Sequence, residues 1–269
     1  MARRQSKKGR HTQGSRQPAR GPGRRAPARG AASTPDASRR KRKPHRPPPV
    51  PDEIVTPEVM GRLLTTHGFS LTQHQLELVT RYHGYLLDRN RTLNLTRILN
   101  LEDMVLKHYV DCFMVNRLLP DFPEPLLDIG SGAGFPGLPL KILSPDKHII
   151  LGEGVRKRVA FLRDARELLQ LERLDIIGRN IDKDFEYPVA AVITRAVESI
   201  RDTLARIRNC LRVDGIAVFM KGPNVDVEIK EALRKYPDLY ALDADHAYTL
   251  SSSPYKRRLV IFRKLQPKQ

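Results

Sequence analysis

Tryptophan is absent from this chain of 269 residues, and cysteine occurs only twice, at Cys112 and Cys210. The two cysteines are far apart and belong to no C-x-x-C pair or His/Cys cluster, so we expect neither a disulfide framework nor a metal site. No apolar run reaches about 18 residues, and no apolar stretch follows the basic start, which argues against a transmembrane helix and a signal peptide. The expected location is cytoplasmic, without membrane contact.

Acidic residues are almost missing from residues 1–50. This segment has 16 lysines and arginines but only one acid, Asp36, and therefore a formal charge of +15. The other 219 residues have 32 bases and 29 acids, or +3, so the tail accounts for most of the net charge of +18. The tail also has eight of the 21 prolines and no Phe, Tyr or Trp, too little apolar surface to form a core. We expect residues 1–50 to be a disordered basic tail.

Such a dense basic segment predicts an electrostatic arm that binds RNA phosphates by counterion release. Two other interpretations stay open, a solubilising extension and an organellar transit peptide. A transit peptide should form an amphipathic helix, which the eight prolines disfavour.

Glycine is concentrated in one segment, Leu126–Leu140, which reads LLDIGSGAGFPGLPL. An apolar strand there leads into a glycine-dense turn that opens a helix, an arrangement that binds nucleotide-like cofactors. Gly132-x-Gly134-x-x-Gly137 fits the dinucleotide fingerprint. Glu153 follows the second predicted strand, where an acid accepts hydrogen bonds from ribose hydroxyls; a solvated turn carboxylate is the alternative. Asp128 precedes the loop and is expected either to hold it or to contact the ligand directly.

The order of predicted elements favours an α/β fold. Helices over 57–68, 72–90 and 101–119 precede any strand and form a helical cap, residues 51–120. Residues 121–269 then alternate short apolar runs with amphipathic stretches, typical of a parallel sheet with covering helices. The last two strands have no helix between them, so we expect an antiparallel hairpin at the sheet edge. This is the layout of a class I methyltransferase: a Rossmann-like, seven-stranded, mostly parallel sheet with an antiparallel edge strand. The strands are predicted at 126–129, 148–152, 174–177, 190–194, 215–220, within 238–250 and at 259–264, and the helices near 137–144, 156–170, 200–211 and 225–236.

Several short motifs accompany the glycine loop in a fixed order over about residues 56–264. They are Leu93-Asn94-Leu95-Thr96, Lys107-His108-x-x-Asp111, Val155-Arg156-Lys157-Arg158, Thr194-Arg195-Ala196 and Met220-Lys221-Gly222. Together with the loop they resemble the glucose-inhibited division protein B family, the bacterial 16S rRNA guanine-N7 methyltransferases. The resemblance implies S-adenosylmethionine as cofactor and N7 of guanine 527 in 16S rRNA as target, in free RNA or the 30S subunit. We also expect a monomer.

The resemblance places Gly130, Phe135, Asn180, Ile181 and Arg195 beside the cofactor. The argument from the glycine loop adds Asp128, Gly132 and Glu153. The chain departs from the family where an acid is common after the third strand, so either Asn180 or the backbone meets the adenine, or Asp182 replaces the acid. It also has Arg89 and Leu93 where aromatic residues often stand.

Guanine N7 has a free lone pair, so methyl transfer needs no general base and depends on positioning. We therefore assign no certain catalytic residue and expect Asn94, His108 and Asp111 to organise the site. His108 and Asp111 have i,i+3 spacing, which would place them on one helical face and within bonding distance. A helix cap or a satisfied core pair is the alternative.

Basic residues after the second, fourth and fifth strands are candidate RNA contacts. Arg195 and Lys221 are expected to bind phosphate or guanine O6, with salt bridges as the alternative. Arg156, Lys157 and Arg158 begin a helix, where cations oppose the macrodipole, which suggests RNA phosphates rather than a solvated face.

Three other functional classes remain open at this level. The glycine spacing also suits a nicotinamide-dependent oxidoreductase. A methyltransferase of proteins or small molecules would explain the loop but not the basic segments, and a non-catalytic RNA-binding protein would explain only the latter.

Overall fold

The computed structural model describes residues 55–195, 197–251 and 253–266. The predicted basic tail over residues 1–50 lies outside the described residues. Within the described ranges, no helix is both long and apolar enough to cross a bilayer.

Side-chain caps set the start of the first two helices. Helix α1 (Pro57–Thr66) has proline in its first turn, and the Thr56 hydroxyl accepts a hydrogen bond from the Val59 N–H. Helix α2 (Gln73–Leu93) begins with a capping box between Thr72 and Gln75, with bonds of 3.0 and 3.2 Å. Both starts confirm the sequence prediction, because capping depends on residues within one turn.

The third predicted helix, 101–119, is not continuous. It consists of α3 (Leu101–Met104), a π-helical turn (Val105–Val110) and α4 (Asp111–Leu118). A π turn accommodates an extra residue and changes the direction of the side chains that follow. The i,i+3 argument for His108 and Asp111 assumed a regular α-helix, so it does not apply to this turn.

The described residues form one seven-stranded sheet in the order β3-β2-β1-β4-β5-β7-β6. Strands β1 to β5 pair in parallel, and β7 is antiparallel to both β5 and β6. The predicted terminal hairpin is confirmed, with β6 as the edge strand and β7 beside β5. The strands are Leu126–Ile129 (β1), Ile149–Gly152 (β2), Leu174–Ile177 (β3), Val189–Arg195 (β4), Leu211–Lys221 (β5), Tyr240–Thr249 (β6) and Lys256–Lys264 (β7).

Four helices cover the sheet between the strands. The helix predicted over 200–211 ends early, because Leu211 already begins β5. The helices are Gly137–Leu143 (α5), Arg156–Leu168 (α6), Ile200–Arg206 (α7) and Asp226–Lys235 (α8).

The strand order reverses between β1 and β4, and ligands of such sheets bind where this happens, beyond the carboxyl ends of the strands. The carboxyl ends of three strands lie side by side, with Ile129 of β1 paired to both Gly152 of β2 and Thr194 of β4. The segments that follow them therefore emerge at one edge, which we call the functional edge.

The N-terminal helices share a hydrophobic core with the sheet. Met60 and Tyr82 belong to the same buried cluster as Leu126, Leu138 and Phe161. The boundary predicted at residue 120 therefore separates the helices from the sheet, but residues on both sides of it share one core. A second cluster fills the opposite face of the sheet.

Candidate active site

The loop after β1 depends on glycine at several positions. Gly130 has a φ of 71°, in the left-handed region that favours glycine. A Cβ atom at Gly137 would lie 2.3 Å from Leu151 Cδ2 and 2.9 Å from Asp128 Oδ2. The tight packing of strand, loop and helix therefore requires glycine at both positions.

Asp128 holds this loop from beneath. Its side chain is fully buried, and Oδ2 accepts a hydrogen bond of 3.0 Å from the Gly137 N–H. Burial raises the pKa of Asp128 to about 7, although the Gly137 bond opposes the shift. Oδ1 has no partner among the described residues. The loop-holding role is therefore present, and direct ligand contact stays a prediction.

Glu153 ties the same loop to the segment after β2. One carboxylate oxygen accepts from the Gly132 N–H at 2.9 Å, and the other from the Val155 N–H at 2.8 Å. The side chain is 5 % exposed, with Arg158 3.8 Å away. A solvated turn carboxylate is thus excluded. Each oxygen retains a further lone pair, so the predicted ribose contact remains compatible with this geometry.

A cavity of about 290 Å³ opens at the functional edge. Its volume is at the lower end of the range for small-molecule sites. Val197 and Arg206 also line it, and no sequence motif indicated either residue. Predicted residues in its wall are Gly130, Glu153, Arg158, Asn180, Ile181 and Arg195.

The segment after β3 places Asn180, rather than Asp182, at this cavity. Asp182 forms an ion pair with Arg179, with an N–O distance of 3.0 Å. A Cβ atom at Gly154 would lie 1.9 Å from Asn180 Oδ1, so the amide packs directly against the Gly154 backbone. Of the two alternatives for this segment, the geometry therefore favours Asn180 or the backbone.

Arg195 joins the cavity to the helical cap. Its NH2 group donates to His108 Nδ1 at 3.1 Å, and its NH1 group lies 3.7 Å from Asp111 Oδ2. The guanidinium also lies 5.2 Å from the centre of the Phe135 ring. Within these described residues, His108 and Asp111 are connected through Arg195 and not by the direct bond that their spacing suggested. The π turn explains the difference, because it changes their relative direction.

His108 is a neutral imidazole in this arrangement. Burial, with the charges of Arg195 and Lys107, lowers its pKa to about 3. Because Arg195 donates to Nδ1, the proton belongs on Nε2, which lies 3.1 Å from Thr96 Oγ1. The ring stacks on Phe135 with centroids 4.5 Å apart. Both ring nitrogens are therefore engaged.

Asn94 was predicted to organise the site together with His108 and Asp111, but the structure places it at the end of α2. It is exposed and ends α2 in the left-handed conformation, with a φ of 51°. The loop is held by Asn90, whose amide exchanges two hydrogen bonds of 2.9 Å with the Thr96 backbone. Sequence reasoning missed Asn90; a second asparagine four positions earlier, on the apolar side of α2, was the available signal.

Asp111 is also contacted by the terminal hairpin. The Tyr248 hydroxyl donates to Oδ1 at 2.9 Å, and Arg257 Nε lies 3.8 Å from the same oxygen. Burial raises the pKa of Asp111, while Arg195 and Arg257 oppose the shift. Neither Tyr248 nor Arg257 belongs to a motif found in the sequence, and only the fold brings them to Asp111.

Comparison with known proteins agrees with this geometry. The family model described as GidB, rRNA small subunit methyltransferase G, matches residues 75–250. A Bdellovibrio bacteriovorus protein named ribosomal RNA small subunit methyltransferase G 2 is 43% identical over 208 residues, which cover 77% of this chain and 81% of the relative. The chain belongs to the rRNA small subunit methyltransferase G family.

Two further relatives extend the comparison. A Syntrophobacter fumaroxidans protein named methyltransferase G 2 is 44% identical over 81% of this chain, and the match spans 44% of that protein. A Carboxydothermus hydrogenoformans methyltransferase G is 32% identical over 74% of this chain and 87% of the relative.

The predicted RNA contacts of this family member fall into two groups. Lys221 is 13 % exposed and pairs with Glu228 at 2.8 Å while donating to the Glu198 carbonyl at 2.7 Å. It therefore forms the salt bridge named as the alternative, and its partner Glu228 accepts a hydrogen bond of 2.9 Å from the Ile200 N–H at the start of α7. Arg156 and Lys157 are exposed on the first turn of α6, whereas Arg158 turns toward Glu153 and the cavity.

Proposed function

We propose that this protein transfers the methyl group of S-adenosylmethionine to N7 of guanine 527 in 16S rRNA, in free RNA or in the 30S subunit. Membership of the family makes it an S-adenosylmethionine-dependent rRNA methyltransferase. The target atom and the roles of individual residues form the proposal. The observation that supports it best is that the imidazole beside the cavity is neutral with both nitrogens engaged. The imidazole is therefore not available as a base at neutral pH, and N7 requires none.

The cavity residues fit a sulfonium nucleoside. Glu153 is a buried carboxylate at the cavity wall with lone pairs left for ribose hydroxyls. Asp128 Oδ1, unpartnered among the described residues, offers a further acceptor behind the loop. Asn180 and the exposed backbone of Gly130 provide polar groups for an adenine edge. These residues would hold the cofactor, which when bound supplies an electrophilic methyl group.

The chemistry requires one bond to form and one to break. The N7 lone pair forms the new N–C bond, the S–C electron pair returns to sulfur, and no proton moves. The chain therefore contributes by holding guanine N7 about 3 Å from the methyl carbon, in line with the S–C bond. A bare cation beside the guanine would oppose the positive charge that develops on it. The approach of Asp111 to Arg195 at 3.7 Å reduces this cost.

Labelled S-adenosylmethionine tests the proposal directly. Incubation with 16S RNA and with 30S subunits that lack the modification should yield labelled 7-methylguanosine at position 527 after nuclease digestion. Calorimetric titration should show binding of S-adenosylmethionine and none of NAD. Absence of label in RNA under conditions where the cofactor is bound would contradict the proposal, and binding of NAD alone would indicate an oxidoreductase.

Three further points belong to the same proposal. The basic tail over residues 1–50 acts as an arm for RNA phosphates, because its charge of +15 comes with almost no acid. The enzyme works as a monomer. It works in the cytosol, where its RNA substrate is made.

A further inference from the structure

The β6–β7 hairpin reaches the functional edge beside Arg195. Arg195 pairs with Met220 on β5, and Met220 pairs with Leu259 on β7. Because β7 runs antiparallel to β5, its first residues extend beyond Leu259 at the same edge as the glycine loop. Arg257 lies there, and it follows the last residue that the family model matches, which is 250.

Arg257 is held on two sides. Its Nε lies 3.8 Å from Asp111 Oδ1, and its guanidinium lies 5.8 Å from the centre of the Tyr255 ring. Its NH1 group donates to the Lys256 carbonyl at 3.1 Å. A guanidinium has five N–H donors, and within the described residues this is the one hydrogen bond recorded for it. The side chain is 27 % exposed, so the remaining donors can reach solvent.

Asp111 has other partners besides Arg257. Arg195 approaches the other carboxylate oxygen at 3.7 Å, and Tyr248 donates a hydrogen bond of 2.9 Å. Two guanidinium groups therefore share one buried carboxylate, which leaves one positive charge in excess. Holding charges in a fixed position lowers the entropy cost of binding an anion.

Lys107 adds a third cation at this place. Its ammonium lies 4.8 Å from the centre of the Tyr255 ring, close enough for a cation–π contact. Its carbonyl accepts a hydrogen bond of 3.3 Å from Arg195, which connects it to the cavity. Asp103 pairs with the ammonium at 2.8 Å, so the excess charge comes mainly from Arg257. We call Lys107, Tyr255 and Arg257 the hairpin platform.

We propose that the hairpin platform binds a backbone phosphate of the RNA strand next to the guanine that is methylated. Arginine forks match phosphate oxygens in pairs, and such contacts fix the register of a nucleic acid on a protein. Tyr255 already contacts two cations, which favours a phosphate over a base stacked on its ring. This proposal rests on the proposed function and adds a substrate contact to it.

Three variants test the platform in the full-length protein. Arg257→Gln removes the charge and the fork, while Arg257→Lys keeps the charge alone. Arg263→Gln is the matched control, because it removes one charge from the same strand, about 20 Å away. Arg263 pairs with Asp243 at 2.6 Å at the other end of β7. Binding of 30S subunits is measured over a salt series, and binding of S-adenosylmethionine by calorimetry.

Arg257→Gln should weaken binding of the subunits about tenfold and reduce the salt slope by about one, with unchanged cofactor affinity. Arg257→Lys should keep the slope and lose affinity, whereas Arg263→Gln should match the wild type. An unchanged slope with lower cofactor affinity would show that Arg257 only supports Asp111, and an equal loss in Arg263→Gln would show a non-specific charge effect. Either result overturns the proposal. If the wild type itself fails to bind or methylate the RNA, the proposed function fails first.

Discussion

Arg195 and His108 are joined by a 3.1 Å hydrogen bond from a guanidinium N–H to imidazole Nδ1. Arg195 is the last residue of β4, at the functional edge, and His108 lies in the π turn of the cap, 87 residues earlier. Because Nδ1 accepts this bond, the imidazole proton lies on Nε2, which faces the Thr96 hydroxyl. One contact therefore connects cavity, cap and the loop after α2.

Replacing His108 should impair methyl transfer without revealing a titrating base. His108→Ala removes the acceptor for Arg195 and the ring stacked on Phe135, so we expect kcat to fall by about 10- to 100-fold through misalignment. Because the pKa of His108 is about 3, the wild-type rate should show no inflection near pH 6.5 from this group. Initial rates from pH 5 to 8 measure both. His74→Ala, at an exposed position on α2, is the control. An inflection that disappears in His108→Ala would identify a base instead.

Glu153→Gln should weaken binding of S-adenosylmethionine. The carboxylate accepts from Gly132 and Val155, and an amide has only one acceptor oxygen for these two N–H groups. Loss of a hydrogen bond to a charged group corresponds to about a 10- to 100-fold change in Kd. Calorimetry measures the effect, with Glu167→Gln on the exposed side of α6 as control. Equal affinities of wild type and Glu153→Gln would remove Glu153 from the cofactor site.

Two glycine substitutions should have opposite effects on stability. Gly137→Ala places a Cβ atom 2.3 Å from Leu151, so we expect a loss of about 1–3 kcal/mol in the free energy of unfolding. Gly84→Ala meets nothing within 4 Å in the middle of α2 and should gain about 0.5–1 kcal/mol. Urea denaturation of both variants measures the difference. A neutral Gly137→Ala would mean that the loop relaxes around the added methyl group.

Acid should destabilise the wild type through His83. Burial lowers the pKa of His83 to about 4, whereas the unfolded chain binds the proton near pH 6.5. Between these values only the unfolded state is protonated, so stability falls as the pH falls. Relative to His83→Leu, the wild type should lose about 3 kcal/mol from pH 6.5 to 4. Denaturation at several pH values measures this difference, which should stay constant above pH 7. A pH-independent difference would contradict it.

Removing residues 1–50 should weaken RNA binding and flatten its salt dependence. The segment has a formal charge of +15, and each phosphate contact adds to the salt slope. Affinity for S-adenosylmethionine should stay the same, because the predicted cofactor residues lie between 128 and 195. Filter binding at several salt concentrations, with cofactor titration as control, tests this. An unchanged slope would assign the tail another task.

Local features of the fold could be predicted because they depend on neighbours in sequence. The hydroxyl groups of Thr56 and Thr72 cap their helices by accepting hydrogen bonds from the N–H groups three residues ahead. The glycine loop and Glu153 lie within one strand–loop–helix–strand unit, so their spacing already indicated a nucleotide site. The sheet and its terminal hairpin followed from the alternation of apolar runs.

Several predictions about individual side chains were wrong or incomplete, because they depend on residues that are far apart in the sequence. The π turn at Val105–Val110 has no simple sequence signal, and it directs His108 and Asp111 to Arg195. Lys221 matched a motif, yet its ammonium is paired with Glu228 of α8.

The sequence by itself determined the fold class, the cofactor loop and the family, since these depend on local order along the chain. The tertiary structure decided which charges pair and which groups remain neutral. Asp111 is contacted by Arg195 from β4 and by Tyr248 and Arg257 from the terminal hairpin, up to 146 positions away. Burial makes an unpaired charge costly, so the partners that surround each charged group set its state, and only folding brings those partners together.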